Sequence, residues 1–249
     1  MNAFAVILSV PLLTGLVVVT SLPCARSASA VELQQETRAV AGFHRIEING
    51  EINVTLVQGG TEGVTVEAPS SSLAHIRTAV RGETLIVDAV EPRSVWQWFS
   101  GRSGSRTPQI TIRLREIDRI EAAGTVRLDA DSLKSGDLRL DLAGACTLKI
   151  RDLQATSLRI DGSGAIKVTI GGKVERQKVD LSGAGSYQAD GLVSGDAVVE
   201  VSGAGKAVVN ATKSLAVDIS GAGKVEYLGD PQLKQSISGI GKVTRREPS

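Results

Sequence analysis

The chain has 249 residues, 42% hydrophobic but only 3% aromatic, and its 28 basic and 27 acidic residues leave a formal net charge of +1. So balanced a chain has no electrostatic basis for binding nucleic acid. Its two cysteines, Cys24 and Cys146, are too few for a disulfide scaffold.

Ala3 to Leu22 is an uncharged apolar stretch, followed by Ala28-Ser29-Ala30, whose small residues suit signal-peptidase cleavage before Val31. The expectation is a signal peptide over 1–30 and an exported protein, periplasmic or at the cell surface, whose mature form does not span the membrane. The apolar stretch is also nearly long enough to serve as a retained anchor, although Pro11 and Gly15 interrupt it. Cleavage would leave Cys146 without a partner, so stability has to come from the core. Residues 31–249 suffice for one elongated domain.

Residues 31–42 read as a linker. Phe43 to Leu56 then alternates apolar and polar residues around Gly50, the period of a strand with one buried face. Val64-Thr65-Val66-Glu67, Leu85-Ile86-Val87-Asp88 and Ile110 to Leu114 continue as strands, and Ser70 to Arg81 has room for a short helical turn. Between them, an insertion at 91–109 holds both tryptophans, with Trp96, Trp98 and Phe99 flanked by Arg93 and Arg102. Alternate aromatics beside arginines suit stacking on sugar rings or docking on a partner, so these five residues are the candidate contact with an envelope glycan or protein. A loop folded back over an open sheet edge is the plainer alternative.

From Ile117 onward a glycine-centred phrase returns, as in Ile160-Asp161-Gly162-Ser163-Gly164 and Val201-Ser202-Gly203-Ala204-Gly205. Aligned on Gly144, Gly162, Gly183, Gly203, Gly221 and Gly239, the phrases lie 18 to 21 residues apart. Leu142, Ile160, Leu181, Val201, Ile219 and Ile237 precede the glycine by two residues, and Leu140, Leu158, Val179, Val199 and Val217 by four. Strands repeating the same inward positions predict an all-β fold, a single-stranded right-handed parallel β-helix (β-solenoid) with coils of about 18–22 residues. An antiparallel sandwich is the structural alternative. The paired glycines Gly162/Gly164, Gly183/Gly185, Gly203/Gly205, Gly221/Gly223 and Gly239/Gly241 would form its corner, where positive φ or close backbone approach excludes a side chain.

Chemistry-bearing motifs are weak. Gly205-Lys206, Gly223-Lys224 and Gly241-Lys242 lack both the Walker spacing and a following Ser or Thr. His44 and His75 stand far from Cys146 with no ligand pattern around them, so no metal and no cofactor is expected. Asp180, Glu200 and Asp218 share one outward position, with Arg159 interrupting the series. Such a ladder could draw Ca²⁺ or resemble the acid clusters of polysaccharide-cleaving enzymes, and its plainer reading is a solvated face neutralised by Arg176, Lys178 and Lys213.

Three sets of residues resemble the bacterial family described as putative auto-transporter adhesin, head GIN domain. They are Phe43-x-x-Ile46-x-Ile48-x-Gly50 with Val54 and Gln58-Gly59, the repeated Ser-Gly-Ala-Gly phrases, and Val225-Glu226-Tyr227-Leu228-Gly229-Asp230-Pro231 before Ser238-Gly239-Ile240-Gly241-Lys242. The resemblance covers about 40 to 245, with departures at Ala122-Ala123-Gly124, at Cys146 and in the insertion. It implies a GIN-type β-helix domain over 43–245 with a tail at 246–249, in an exported envelope protein of adhesin-like or structural type. It defines no catalytic residues, so no enzyme is expected; a carbohydrate-active enzyme or a small-ligand or metal-binding module are the alternatives.

Overall fold

The computed structural model describes residues 33–89 and 107–247. Ten strands and one helical turn follow in order: β1 (Leu33–Arg38), β2 (Arg45–Gln58), β3 (Gly63–Pro69), α1 (Ser70–Leu73), β4 (Ile76–Arg81), β5 (Thr84–Ala89), β6 (Gln109–Leu114), β7 (Arg119–Gly221), β8 (Lys224–Leu228), β9 (Gln232–Gly239) and β10 (Lys242–Arg245). β1 falls inside the stretch read from sequence as a linker. The signal-peptide segment and the aromatic residues of the insertion lie outside the described residues.

Period-two patterning does the local work. In β2, Ile46, Ile48, Ile52, Val54 and Leu56 are buried while Glu51 and Thr55 face solvent, as a half-buried pleated strand requires. β7 carries the same alternation through 103 residues. Laid straight it would reach roughly 340 Å at about 3.3 Å per residue. Instead it folds back, so that Arg139 N donates to Asp118 O at 2.8 Å and Ala222 N to Gly203 O at 2.8 Å. Its first rung pairs in parallel with β2, Ile46 opposite Ile120 and Gly50 opposite Gly124. Its last residues pair in parallel with β8 and β9.

The fold is all-β, but the uniformly parallel β-helix expected over 43–245 is overturned. The strands form an open mixed sheet in the order β1-β3-β6-β2-β7-β8-β10, with β4, β5 and β9 off that path. Three pairings are antiparallel: β1 with β3, β3 with β6, and β4 with β5. The cause is local. β4 and β5 are joined by the two-residue loop Gly82-Glu83, with Arg81 opposite Thr84 and Gly82 at φ +59°, a hairpin connection that returns the chain on itself. Alternation marks which face of a strand is buried and says nothing about the direction of its neighbour.

The core is one continuous, mostly aliphatic cluster of side chains running from Phe43 to Val225. It holds one polar chain: Tyr187 Oη donates to Gln177 Oε1 at 2.8 Å, Gln177 Nε2 to Ser194 Oγ at 2.8 Å, and Ser194 Oγ to Asn210 O at 2.8 Å. All three side chains are buried. Each donor finds an acceptor, which is the condition for burying polar groups at tolerable cost.

Candidate functional site

The outward face of the rungs carries three parallel rows, and their register is set by the glycines of positive φ. Those that set it, among the positive-φ glycines, are Gly50, Gly124, Gly144, Gly164, Gly183, Gly203, Gly221 and Gly239. In the phrase at 160–164 the turning residue is therefore Gly164. Gly162 occupies an inward position, where an added Cβ would stand 3.1 Å from Leu181 Cδ2. Gly185, Gly205, Gly223 and Gly241 likewise have no positive φ and face the side chains of Leu181, Val201 or Ile219. At Gly203, by contrast, φ is +117° and a Cβ would come within 2.6 Å of Gly183 O. The two members of each pair thus meet different constraints, one on the backbone and one on packing.

Counted from these glycines, the third residue before is Glu47, Glu121, Asp141, Asp161, Asp180, Glu200 and Asp218, and before Gly239 it is Ser236. The carboxylate row runs without a break from Glu47 to Asp218, and Arg159 does not interrupt it: alignment on Gly162 displaces that phrase by two residues. Arg159 belongs to a second row, five residues before the glycine, with Arg45, Arg119, Arg139 and Lys178. Sequence reasoning missed this cationic row, although the repeated Arg-x-Asp of 139–141 and 159–161 carries its signal.

The rows interlock. Arg119 Nε lies 2.9 Å from Glu121 Oε1 and 2.9 Å from Asp141 Oδ2 on the next rung. Arg139 repeats this, Nε 3.0 Å from Asp141 Oδ1 and Nη2 2.9 Å from Asp161 Oδ2. Arg159 holds Asp161 at 2.9 Å, and Lys178 Nζ reaches Glu200 Oε1 at 2.8 Å. The Arg159 hydrogen bond holds the Asp161 carboxyl below the usual carboxylate range, and the same bond raises Arg159. An isolated exposed pair contributes about 0 to 1 kcal/mol, but a cation shared by two rungs fixes carboxylate orientation as well.

The third row, one residue before the glycine, is small: Ala123, Ala143, Ser163 and Ser182 follow Asn49. The carboxylate row and this low floor line an open groove of about 420 Å³, bounded by Glu47, Glu121, Asp141, Asp161 and Asp180. Asn49 closes one end, its Nδ2 donating to Glu47 Oε1 at 3.0 Å and to Asp88 Oδ1 at 2.9 Å.

Other candidates fall elsewhere. Cys146 is buried, its Sγ donating to Ala143 O at 3.5 Å, and burial pushes its thiol pKa up, away from thiolate chemistry. Lys206, from a Gly-Lys pair, lies 3.3 Å from Glu226, which Lys224 also holds, and the Lys224 bond lowers that carboxyl below its ordinary range. His44 Nε2 stands 3.2 Å from Glu83 and 3.3 Å from Asp118. Among the described residues no cluster of His, Cys, Asp or Glu is arranged to hold a metal ion, and no helix is long and apolar enough to cross a membrane. Arg93, Trp96, Trp98, Phe99 and Arg102 lie outside the described residues.

Residues 42–231 match the family described as putative auto-transporter adhesin, head GIN domain. The chain belongs to this family. A putative adhesin from Bacteroides fragilis NCTC 9343 superposes with a TM-score of 0.80 at 21% identity, covering 87% of this chain and 98% of its own. A putative adhesin from Parabacteroides merdae ATCC 43184 gives a TM-score of 0.63 at 17% identity, covering 87% and 97%. A putative lipid binding protein from Parabacteroides distasonis ATCC 8503 gives 0.63 at 20%, covering 86% and 97%. At these identities the likeness establishes a shared fold. No curated protein matches the chain. The matched GIN domain spans all the rungs that build the groove.

Proposed function

We propose that this GIN-domain protein is an exported envelope protein of adhesin-like, non-catalytic type, which binds a glycan or protein partner along the groove beside the interlocked rows. The observation that carries this reading is the groove itself. Carboxylates oriented by neighbouring guanidinium groups repeat at about 4.8 Å per rung, beside a floor made mainly of small residues such as Ala123, Ala143, Ser163 and Ser182. Such an array offers repeated hydrogen-bonding groups to a repeating or extended ligand. The family's adhesin description and the leader-like segment at 1–30 support the location.

Trp96, Trp98 and Phe99, with Arg93 and Arg102, are proposed as a second contact with the same class of partner. Immobilised envelope polysaccharide and envelope protein fractions, probed with residues 31–249, test the proposal. Binding without product is expected, with loss on Ser163→Trp, which fills the exposed groove floor. Release of saccharide fragments, or equal binding by Ser163→Trp, counts against it.

A further inference from the structure

The far end of the sheet is unlike the rest of its surface. β9 pairs only with β7 and β10 only with β8, so each leaves one hydrogen-bonding edge unpaired among the described residues. Among the described residues, three of the six exposed large hydrophobic side chains lie here: Leu233 at 39%, Ile237 at 41% and Ile240 at 87%. The first two continue interior rows, Leu233 sitting opposite Leu215 and Ile237 opposite Ile219, both of which are buried. The sequence pattern places Ile237 in the core with its equivalents, and the structure leaves it open because no rung among the described residues covers it.

Charge states what could cover it. Residues 232–246 contain Lys234, Lys242, Arg245 and Arg246 and no acid. Arg245 pairs with Asp230 at 3.2 Å, while Lys234, Lys242 and Arg246 have no carboxylate partner among the described residues. A second copy presenting the same end would bring like charges together. The opposite end is no better, since β1 and β4 carry Arg38, Arg77 and Arg81 against Glu36. Lysine on an edge strand is also a familiar guard against self-pairing.

We propose that this end is a docking site for an extended acidic polypeptide segment, which adds a strand to β9 and β10. Main-chain hydrogen bonds to the unpaired edges would give affinity, the segment's apolar side chains would cover Leu233 and Ile237, and its carboxylates would meet Lys234 and Lys242. The site is separate from the groove, so either can fail without the other.

The probe is a synthetic peptide copying residues 232–245 with Lys234→Glu, Lys242→Glu and Arg245→Glu, titrated against residues 31–249 in low salt. Binding at least about tenfold tighter than the unmodified copy is expected. Loss is expected when alternate peptide amides are N-methylated, which removes strand donors and keeps the side chains. Ile240→Glu combined with Lys242→Glu in the protein, both at exposed positions, should abolish binding at an unchanged melting temperature. No binding of the acidic peptide, or equal binding of its N-methylated form, overturns the proposal. So does self-association through this end, or capture of phosphatidylglycerol vesicles where the peptide fails to bind.

Discussion

Gly203 shows what the turning row demands of one side chain. Its φ of +117° disfavours any residue with a Cβ, and that Cβ would press on Gly183 O at 2.6 Å. Gly203→Val should cost at least about 1 to 3 kcal/mol in urea unfolding, through backbone strain and overpacking. The exposed Ser202→Val should shift the midpoint far less, and equal midpoints for the two variants would remove the constraint. The buried polar chain makes a second demand. Tyr187→Phe leaves Gln177 Oε1 without the 2.8 Å bond it accepts, so a loss of about 1 to 3 kcal/mol is expected despite the conservative change. Burial raises the Tyr187 hydroxyl well above its ordinary value, and its absorbance should show no phenolate at alkaline pH until the protein unfolds.

Among the strands, the interlocked rows of β7 make stability depend on acid. Asp161 has its folded pKa depressed by Arg159, so its contribution is fully present above the unfolded carboxylate value of about 4 and disappears as pH falls through the lower folded value. Melting temperature should therefore fall with pH below about 4, and Asp161→Asn should flatten that fall while lowering stability at neutral pH. Unchanged acid sensitivity in the variant would show that the pairing carries no stability.

These strands also show what could be read in advance. Leu140, Leu142, Val179, Leu181, Val199 and Val201 alternate with polar residues and are all buried, because period two dictates a buried face. The register at 160–164 was ambiguous: both glycines are two apart, and only the backbone distinguishes turning Gly164 from inward-packed Gly162. That two-residue displacement hid the carboxylate row that runs from Glu47 to Asp218 and the arginines beside it. The antiparallel pairings rest on long-range contacts, apart from the hairpin at Gly82-Glu83, whose turn pair was the one local signal for them.

For the protein as a binding module, the groove and the aromatic segment make separable contributions. Trp96, Trp98 and Phe99 changed together to Ala should leave the melting temperature unchanged and weaken envelope binding if they contact the partner. A drop of several kcal/mol would instead mark them as buried cover. The groove has a more direct test: hydrogen–deuterium exchange of residues 31–249, alone and saturated with an envelope fraction. Slowed exchange confined to the rungs around Asp141-Leu142-Ala143, Asp161-Gly162-Ser163 and Asp180-Leu181-Ser182 is the predicted result. Bound protein whose exchange in those rungs is unchanged would contradict the groove as the binding surface.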